Sequence, residues 1–126
     1  MIRNSIIAKV VKEAKKSTHR YRIGAIIFRK KKVLSLGHNH KLKGVRSFNP
    51  QFKNRYNSIH AEVDAIIKAR TNLKGAEILV VRINKKEQFL LSEPCENCKK
   101  YIEYVEIKNI FYSIPNYPFI EKDKYE

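Results

Sequence analysis

Residues 59–83, IHAEVDAIIKARTNLKGAEILVVRI, decide the fold class of this chain. Apolar residues recur at helical spacing in 59–69, which predicts an amphipathic helix with Ser58 as its candidate N-cap. Gly75 marks the exit from that helix, and the apolar run 76–83 is the most strand-like segment of the chain. A helix that alternates with strands in this way is typical of α/β folds.

The flanking segments extend the alternation in both directions. Residues 2–16 are a predicted amphipathic helix, and residues 22–29 and 33–37 are two predicted antiparallel strands joined by a tight lysine-rich turn. Downstream, a helix is predicted over 95–105 and a last strand over 108–114. This order predicts a three-layer α-β-α fold, in which a mixed sheet of four to five strands carries helices on both faces. Two β-α-β connections predict that the last three strands run parallel.

Length and composition indicate a single domain over residues 1–126. The chain has 126 residues, of which 43% are hydrophobic and 10% aromatic, as in globular proteins. No apolar run approaches the roughly 20 residues that span a bilayer, so no membrane segment is expected. The N-terminal stretch lacks the pattern of a signal peptide and is interpreted as the first helix of the fold. Cys95 and Cys98 are too close in sequence for a typical structural disulfide, which favours a reducing, cytoplasmic compartment.

The net charge of +15 lies in the first half of the chain. Residues 1–59 contain sixteen Lys or Arg and one acid, whereas residues 60–126 contain eleven of each sign. Residues 38–58 are predicted to form one long loop that contains both basic and aromatic side chains: Lys41, Lys43, Arg46, Phe48, Phe52, Lys53, Arg55 and Tyr56. Such a mixture favours nucleotide phosphate or single-stranded nucleic acid as a partner. A solvated lysine-rich surface, with aromatic rings that cover the core edge, is the alternative.

Three residues have side chains that zinc prefers as ligands: His60, Cys95 and Cys98. A Cys-x-x-Cys spacing lets two sulfurs converge on one ion, and three protein ligands leave the fourth tetrahedral position open, as in catalytic sites. Glu62 follows His60 by two residues and is placed to reach a water on the metal. Taken singly, these residues also fit a surface histidine, a redox pair and a helix-dipole carboxylate. Together, H-A-E at 60–62 and P-C-E-N-C at 94–98 match the signature of zinc nucleobase deaminases.

On these motifs the sequence resembles the cytidine/deoxycytidylate deaminase superfamily, over about residues 2–114. The resemblance also includes Gly24-Ala25-Ile26-Ile27 in the first predicted strand and Gly37-His38-Asn39 after the second. It implies a cytidine-deaminase-like fold and a hydrolase that acts on the carbon–nitrogen bond of a cyclic amidine. Its cofactor would be Zn²⁺.

The resemblance also implies a role for each site residue. His60, Cys95 and Cys98 would hold the zinc, and Glu62 would move protons from the attacking water to the ring nitrogen and the departing ammonia. Asn39 would contact the sugar or the base of the substrate. The backbone amide of Ala61 would lie near the substrate carbonyl or ring.

The C-terminal end departs from the family pattern, which often has a further helix and a fifth strand. After Ser113 the chain has only the thirteen residues IPNYPFIEKDKYE, which are too few for both. The sheet is therefore expected to have four strands or to gain one from residues 84–90, and a partner subunit would cover a missing edge. The resemblance implies a homo-oligomer, because many members of the superfamily form dimers or larger assemblies.

Three functions remain open from the sequence. The first is deamination of cytosine in a (deoxy)cytidine nucleotide such as dCMP, and the second is editing of cytosine or adenine in single-stranded DNA or tRNA. The third is a non-catalytic zinc module that binds nucleic acid, with His19, His38 or His40 as the fourth ligand.

Overall fold

A mixed β-sheet forms the centre of the computed structural model, which describes residues 2–18, 20–41, 58–115 and 117–123. The helices are α1 (Asn4–Ala14), α2 (Ala61–Lys68) and α3 (Glu96–Tyr104). The strands are β1 (Arg22–Arg29), β2 (Lys32–His38), β3 (His40–Lys41), β4 (Ser58–Ile59), β5 (Glu77–Ile83), β6 (Phe89–Leu90), β7 (Asn109–Ile114) and β8 (Tyr117–Asp123). The three predicted helices and four predicted strands are all present, with ends within two residues of the predicted ones.

The strands of the main sheet follow the order β2-β1-β5-β7-β8, and the short β6 pairs with β5. Strand β1 is antiparallel to both β2 and β5, whereas β5 and β7 are parallel. Strands β2, β5 and β7 therefore run in one direction, as predicted, with β1 inserted between the first two. Strands β3 and β4 form a separate two-stranded ladder.

The two faces of the sheet carry separate apolar cores, which confirms the three-layer α-β-α prediction. Alternation along β5 divides its side chains between them, because successive residues of a strand point to opposite faces. Leu79 and Val81 pack with Ile6 and Val10 of α1. The opposite face packs against α2 and α3, through buried residues that include Ala25, Ile27, Ile78, Val80, Ala61, Ala65 and Ile102.

The C-terminal segment corrects one expectation. Strand β8 follows β7 after a short turn and pairs antiparallel with it, so the tail provides a fifth long strand without a preceding helix. An antiparallel neighbour needs only a tight turn, whereas a parallel one needs a long crossover. The thirteen residues after Ser113 are too few for a helix and a strand but enough for a strand alone.

Two other expectations change around the predicted loop 38–58. Ser58 is not the N-cap of α2 but lies in β4, and His60 occupies the cap with an extended backbone. The ends of the predicted loop are ordered as the β3–β4 ladder, in which Lys41 is the partner of Ser58. The other basic and aromatic residues of the loop fall within 42–57, outside the described residues.

No helix in the described part of the chain is long and apolar enough to cross a bilayer.

Gly37 in β2 sets the distance between the sheet and α2. An ideal Cβ at this position would lie 2.6 Å from the carbonyl oxygen of Ala61 and would also overlap the backbone of Ala65. Backbone atoms of a helix cannot move aside singly, so any side chain here would push α2 away from β2. Since α2 carries Glu62 and is capped by His60, this contact also positions the functional site.

We predict that Gly37→Ala lowers the free energy of unfolding by about 2–3 kcal/mol, because overpacking a tight contact costs about that much. Urea unfolding followed by circular dichroism measures it. Gly75→Asn is the matched control: Gly75 has φ 77° with open space around it, and Asn tolerates the left-handed region. A Gly37→Ala protein as stable as the Gly75→Asn protein would contradict the assigned contact.

Candidate metal centre

The metal ligands predicted from the sequence meet at the beginning of two helices. His60 caps α2, Cys95 caps α3, and Cys98 follows in the first turn of α3. One ligand atom from each lies within 4.8 Å of the other two, and within the described ranges no other cluster of this kind occurs. His60 Nδ1 is 3.1 Å from Cys98 Sγ and 3.7 Å from Cys95 Sγ. Residues separated by 35 and 38 positions are therefore brought to one point.

The two cysteines differ in exposure but belong to one cluster. Cys98 is buried and Cys95 is exposed, and both are free thiols. The extended backbone at Cys95 (φ −71°, ψ 167°) turns its side chain back over the helix end, where Cys98 emerges one turn later. A Cys-x-x-Cys sequence at a helix start thus supplies two sulfurs on the same side.

Hydrogen bonds among the three ligand residues shift the pKa of each of them. A hydrogen bond from Cys98, with a second from His60, lowers the pKa of the Cys95 thiol to about 3. The same contact with Cys95, together with burial and the neighbouring Glu62, raises the pKa of Cys98. The hydrogen bond with Cys95 also raises the pKa of His60. A thiolate beside an imidazole and a second thiol is the N/S donor set that zinc prefers, and a bound cation would displace their protons.

Glu62 lies in the first turn of α2 and is almost completely buried, with 5% exposed. Burial raises the pKa of its carboxyl group, although a hydrogen bond from its own backbone and the charge of His60 act in the opposite direction. Its side chain also contacts Cys98. A buried carboxyl group with a raised pKa beside metal ligands is suited to take up and release a proton.

The cluster opens onto a cavity of about 280 Å³. Its lining includes His60, Glu62 and Cys95 at one side, with Asn39, Tyr21 and Arg82 among the other residues. This volume is slightly below the usual range for small-molecule sites, roughly 300–1,000 Å³, and suits a small substrate. The arrangement therefore combines a metal centre, a buried acid–base group and space for one small substrate.

Asn39 lines this cavity, but its side chain also holds a neighbouring segment. Its Nδ2 donates to the carbonyl oxygen of Tyr21, and its Oδ1 accepts a hydrogen bond from the backbone N–H of Ile23 at 3.0 Å. Ser17 Oγ donates to the Asn39 carbonyl oxygen at 2.9 Å. Asn39 is buried and fixes the backbone that leads into β1.

The histidines proposed as a fourth ligand lie elsewhere or outside the described residues. His38 Nδ1 is 2.7 Å from Glu13 Oε2, and His40 Nε2 is 3.1 Å from Asp64 Oδ1. Neither histidine belongs to the metal cluster, and His19 is outside the described residues. Within the described residues, the cluster offers three ligands, which is the donor number of a catalytic site.

The contacts of Asp64 join α2 to β2 and β3. Asp64 Oδ2 accepts hydrogen bonds from the His38 backbone amide at 3.0 Å and from Lys68 Nζ at 2.9 Å. Burial alone would raise the pKa of the Asp64 carboxyl group, but the hydrogen bonds from Lys68, the His38 amide and His40 together lower it. A buried charge with several hydrogen-bond donors is a strong tie, so the strand that leads to Asn39 is fixed to the helix that carries Glu62.

Sequence reasoning missed Tyr21 and Arg82, which line the same cavity. Arg82 lies on the same face of β5 as Ile78 and Val80, which are buried against α2 and α3. Side chains of a strand point alternately to its two faces, so the sequence alone places Arg82 on the same face as the two apolar residues. A charged residue on an otherwise buried face is a signal of a functional site.

Comparison with known proteins identifies the family. The family model described as the cytidine and deoxycytidylate deaminase zinc-binding region matches residues 2–114. The chain belongs to this deaminase family. It is therefore a zinc-dependent nucleobase deaminase, a hydrolase of carbon–nitrogen bonds, and its His60, Cys95 and Cys98 are positioned to bind the metal.

Solved structures share the fold of this deaminase at low sequence identity. The dCMP deaminase of cyanophage S-TIM5 in complex with dCMP and dUMP has a TM-score of 0.64 at 20% identity, covering 89% of this chain and 83% of that one. Its apo form has a TM-score of 0.62 at 21% identity, with coverages of 88% and 84%. The cytidine deaminase of Burkholderia pseudomallei has a TM-score of 0.63 at 14% identity, with coverages of 98% and 93%. Comparison with curated protein sequences gives no significant match.

We predict one zinc per chain, and a loss of more than about 100-fold in zinc affinity for Cys98→Ser, since even outer partners of metal ligands contribute 10–100-fold. Competition with a chromogenic chelator and elemental analysis measure affinity and stoichiometry. Glu96→Gln is the control, because Glu96 is an exposed carboxylate between the two cysteines. Equal zinc affinity in the Cys98→Ser and Glu96→Gln proteins would refute the ligand assignment.

Proposed function

We propose that the chain hydrolyses the exocyclic amine of cytosine in a (deoxy)cytidine nucleotide such as dCMP and releases ammonia. The observation that carries this proposal is that buried Glu62 lines a cavity of about 280 Å³ together with His60 and Cys95, two of the three residues of the metal cluster. A water molecule and a pyrimidine ring that meet there would share one acid–base group. The S-TIM5 relative is described in complex with dCMP and dUMP, a substrate and product pair of this reaction, which supports the choice of a free nucleotide.

The chemistry divides between the metal and the protein. Bound zinc supplies Lewis-acid chemistry, which lowers the pKa of water toward neutrality. The Glu62 carboxylate takes a proton from the attacking water and delivers it to the ring nitrogen of cytosine. The water oxygen adds to the amine-bearing carbon, the carbon–nitrogen bond then breaks, and a second proton leaves with ammonia. Cytosine and water are thereby converted to uracil and ammonia.

Two further groups orient the substrate in this proposal. Ala61 is the first residue of α2, and the N–H groups of a helix's first turn have no intrahelical acceptor, so its amide suits a substrate carbonyl. Asn39 has one amide hydrogen and one oxygen lone pair engaged with the backbone of residues 21 and 23, so its remaining capacity serves the sugar or base.

We predict that Glu62→Gln lowers kcat by about 10²–10⁴-fold, the range of general acid–base catalysis, and leaves zinc bound. The amide keeps the size of the side chain but cannot carry a proton between water and ring. Ammonia release and zinc content are measured on the same preparation, with Glu96→Gln as the control. A Glu62→Gln protein that retains zinc and full activity would rule out the proposed role.

Editing of cytosine or adenine in single-stranded DNA or tRNA is the second candidate function. The observation that favours it is the charge distribution, because sixteen basic residues and one acid lie in residues 1–59. Such a surface attracts a polyanion, whereas a single nucleotide needs only one or two of these charges.

A substrate panel across a salt series separates the two functions. We expect deamination of dCMP that varies little between 50 and 200 mM salt. Deoxycytidine, a single-stranded oligonucleotide and tRNA are the comparison substrates. Activity that requires a polymer and falls by about 10³-fold or more over this salt range would overturn the nucleotide assignment in favour of editing.

The compartment and the assembly belong to the same proposal. Two free thiols suit a reducing compartment, and we place the activity in the cytoplasm. We also propose a homo-oligomer, in which a second copy would cover exposed apolar side chains such as Ile67 in α2 and Tyr104 in α3, which are 48% and 63% exposed.

A further inference from the structure

Arg82 occupies a cavity wall without a carboxylate partner. It follows Val80 on the face of β5 that packs against α2 and α3, so its side chain points to the side of the sheet where the metal ligands lie. The two carboxylates that line the cavity are engaged elsewhere: Glu93 pairs with Lys99 at 2.9 Å, and Glu62 is buried beside the metal ligands. Among the described residues, Arg82 makes no ion pair.

The guanidinium group of Arg82 stacks on an aromatic ring. It lies over the ring of Tyr21, 4.3 Å from the ring centroid, which is a favourable cation–π distance. Its Nε is buried and has no hydrogen-bond partner among the described residues. A buried, unpaired N–H on a permanent cation is costly. Arg82 lines the cavity, and an anion there would offset the charge of its guanidinium group.

A second guanidinium group approaches the same ring. The Arg20 guanidinium lies 5.6 Å from the Tyr21 centroid, and this exposed residue also has no ion pair within the described part of the chain. Arg82 and Tyr21 line the cavity, and Arg20 adds a second positive charge near the same ring. The arrangement is therefore complementary to a compact anion such as phosphate, which arginine binds through two parallel hydrogen bonds.

The position of this pair is fixed by the sheet and by Asn39. The Arg82 backbone pairs with Ile23 of β1 and Leu90 of β6, and its N–H donates to Ser113 Oγ at 3.1 Å. Tyr21 is held through its carbonyl oxygen by Asn39 Nδ2. Arg82 and Tyr21 are thus positioned by strand pairing and hydrogen bonds, and both line the cavity that His60 and Cys95 also line.

We propose that Arg82, stacked on Tyr21 and assisted by Arg20, binds the phosphate of the substrate and so makes this deaminase prefer a nucleotide to a nucleoside. The inference rests on the proposed function, because phosphate is the anionic group that a cytosine substrate carries. It also assigns Asn39 a positioning role, through Tyr21, besides any contact with the sugar.

The test compares dCMP with deoxycytidine on the zinc-loaded protein. For Arg82→Gln we expect kcat/KM for dCMP to fall by about 10- to 100-fold, the range for a charged hydrogen bond, mainly through KM. For deoxycytidine we expect a change within about threefold, because no phosphate contact is lost. Arg82→Lys, which keeps the charge without the planar fork, should fall between the two.

Lys74→Gln is the matched control for loss of one positive charge. Lys74 precedes the amino end of β5, whereas Arg82 lies near its carboxyl end. Arg20→Gln, a substitution at an exposed position, should weaken dCMP use by about threefold and leave deoxycytidine use unchanged, which keeps the test valid if Arg82→Gln unfolds. Equal losses for dCMP and deoxycytidine, or no loss for either, would overturn the assignment.

Equilibrium binding of dUMP and deoxyuridine separates this inference from the proposed function. We expect the wild type to bind dUMP at least about 10-fold more tightly than deoxyuridine, and Arg82→Gln to abolish the difference. If the wild type deaminates no cytosine compound but keeps this Arg82-dependent preference, the proposed function fails and the phosphate site stands. If dCMP is deaminated but dUMP and deoxyuridine bind equally well, the phosphate site fails and the function stands.

Discussion

The site depends on the contact of two helices with one face of the sheet. His60 at the start of α2 and Cys95 at the start of α3 meet because both helices begin at the same end of the sheet, near the carboxyl end of β5. Gly37 permits α2 to touch β2, and Ser35 Oγ strengthens the contact with a 2.6 Å hydrogen bond to the Ala65 carbonyl. A shift of α2 by the size of one methyl group would move His60 relative to Cys98, and metal ligands tolerate deviations of only about 0.2 Å.

A matching contact lies on the other face. An ideal Cβ at Gly24 would be 2.6 Å from the Val10 carbonyl oxygen of α1, and Gly24 pairs with His38 in the neighbouring strand. His38 in turn contacts Glu13 of α1, while its backbone amide donates to Asp64 of α2. The end of β2 is therefore fixed to helices on both sides of the sheet. This doubly anchored strand leads directly into Asn39, which holds the backbone of Tyr21 and Ile23.

Local patterns predicted most of the fold and the metal ligands. Periodicity identified all three helices, and the joint motif identified His60, Cys95 and Cys98, because ligand chemistry restricts both residue type and spacing. The cap of α2 was predicted wrongly because Ser58 has a better local propensity than His60, but the β3–β4 ladder keeps Ser58 in a strand. The strand in the C-terminal segment was not predicted, because only a helix followed by a parallel strand was considered there. A strand that returns antiparallel to β7 needs no helix before it. The contact between Tyr21 and Arg82 could not be predicted from the sequence, because it depends on the pairing of β1 with β5.

The location of Arg82 also reconciles two electrostatic demands on one cavity. A cation close to Glu62 would lower the pKa of its carboxyl group and weaken it as a proton carrier, whereas burial, the main influence on it, acts in the opposite direction. Among the described residues that line the cavity, Arg82 is the one lysine or arginine, and it is not among the groups that influence Glu62. Its guanidinium group stacks on the ring of Tyr21, which lines the same cavity. A substrate that bridges Arg82 and Glu62 would place its phosphate and its reactive ring in regions of opposite electrostatic character.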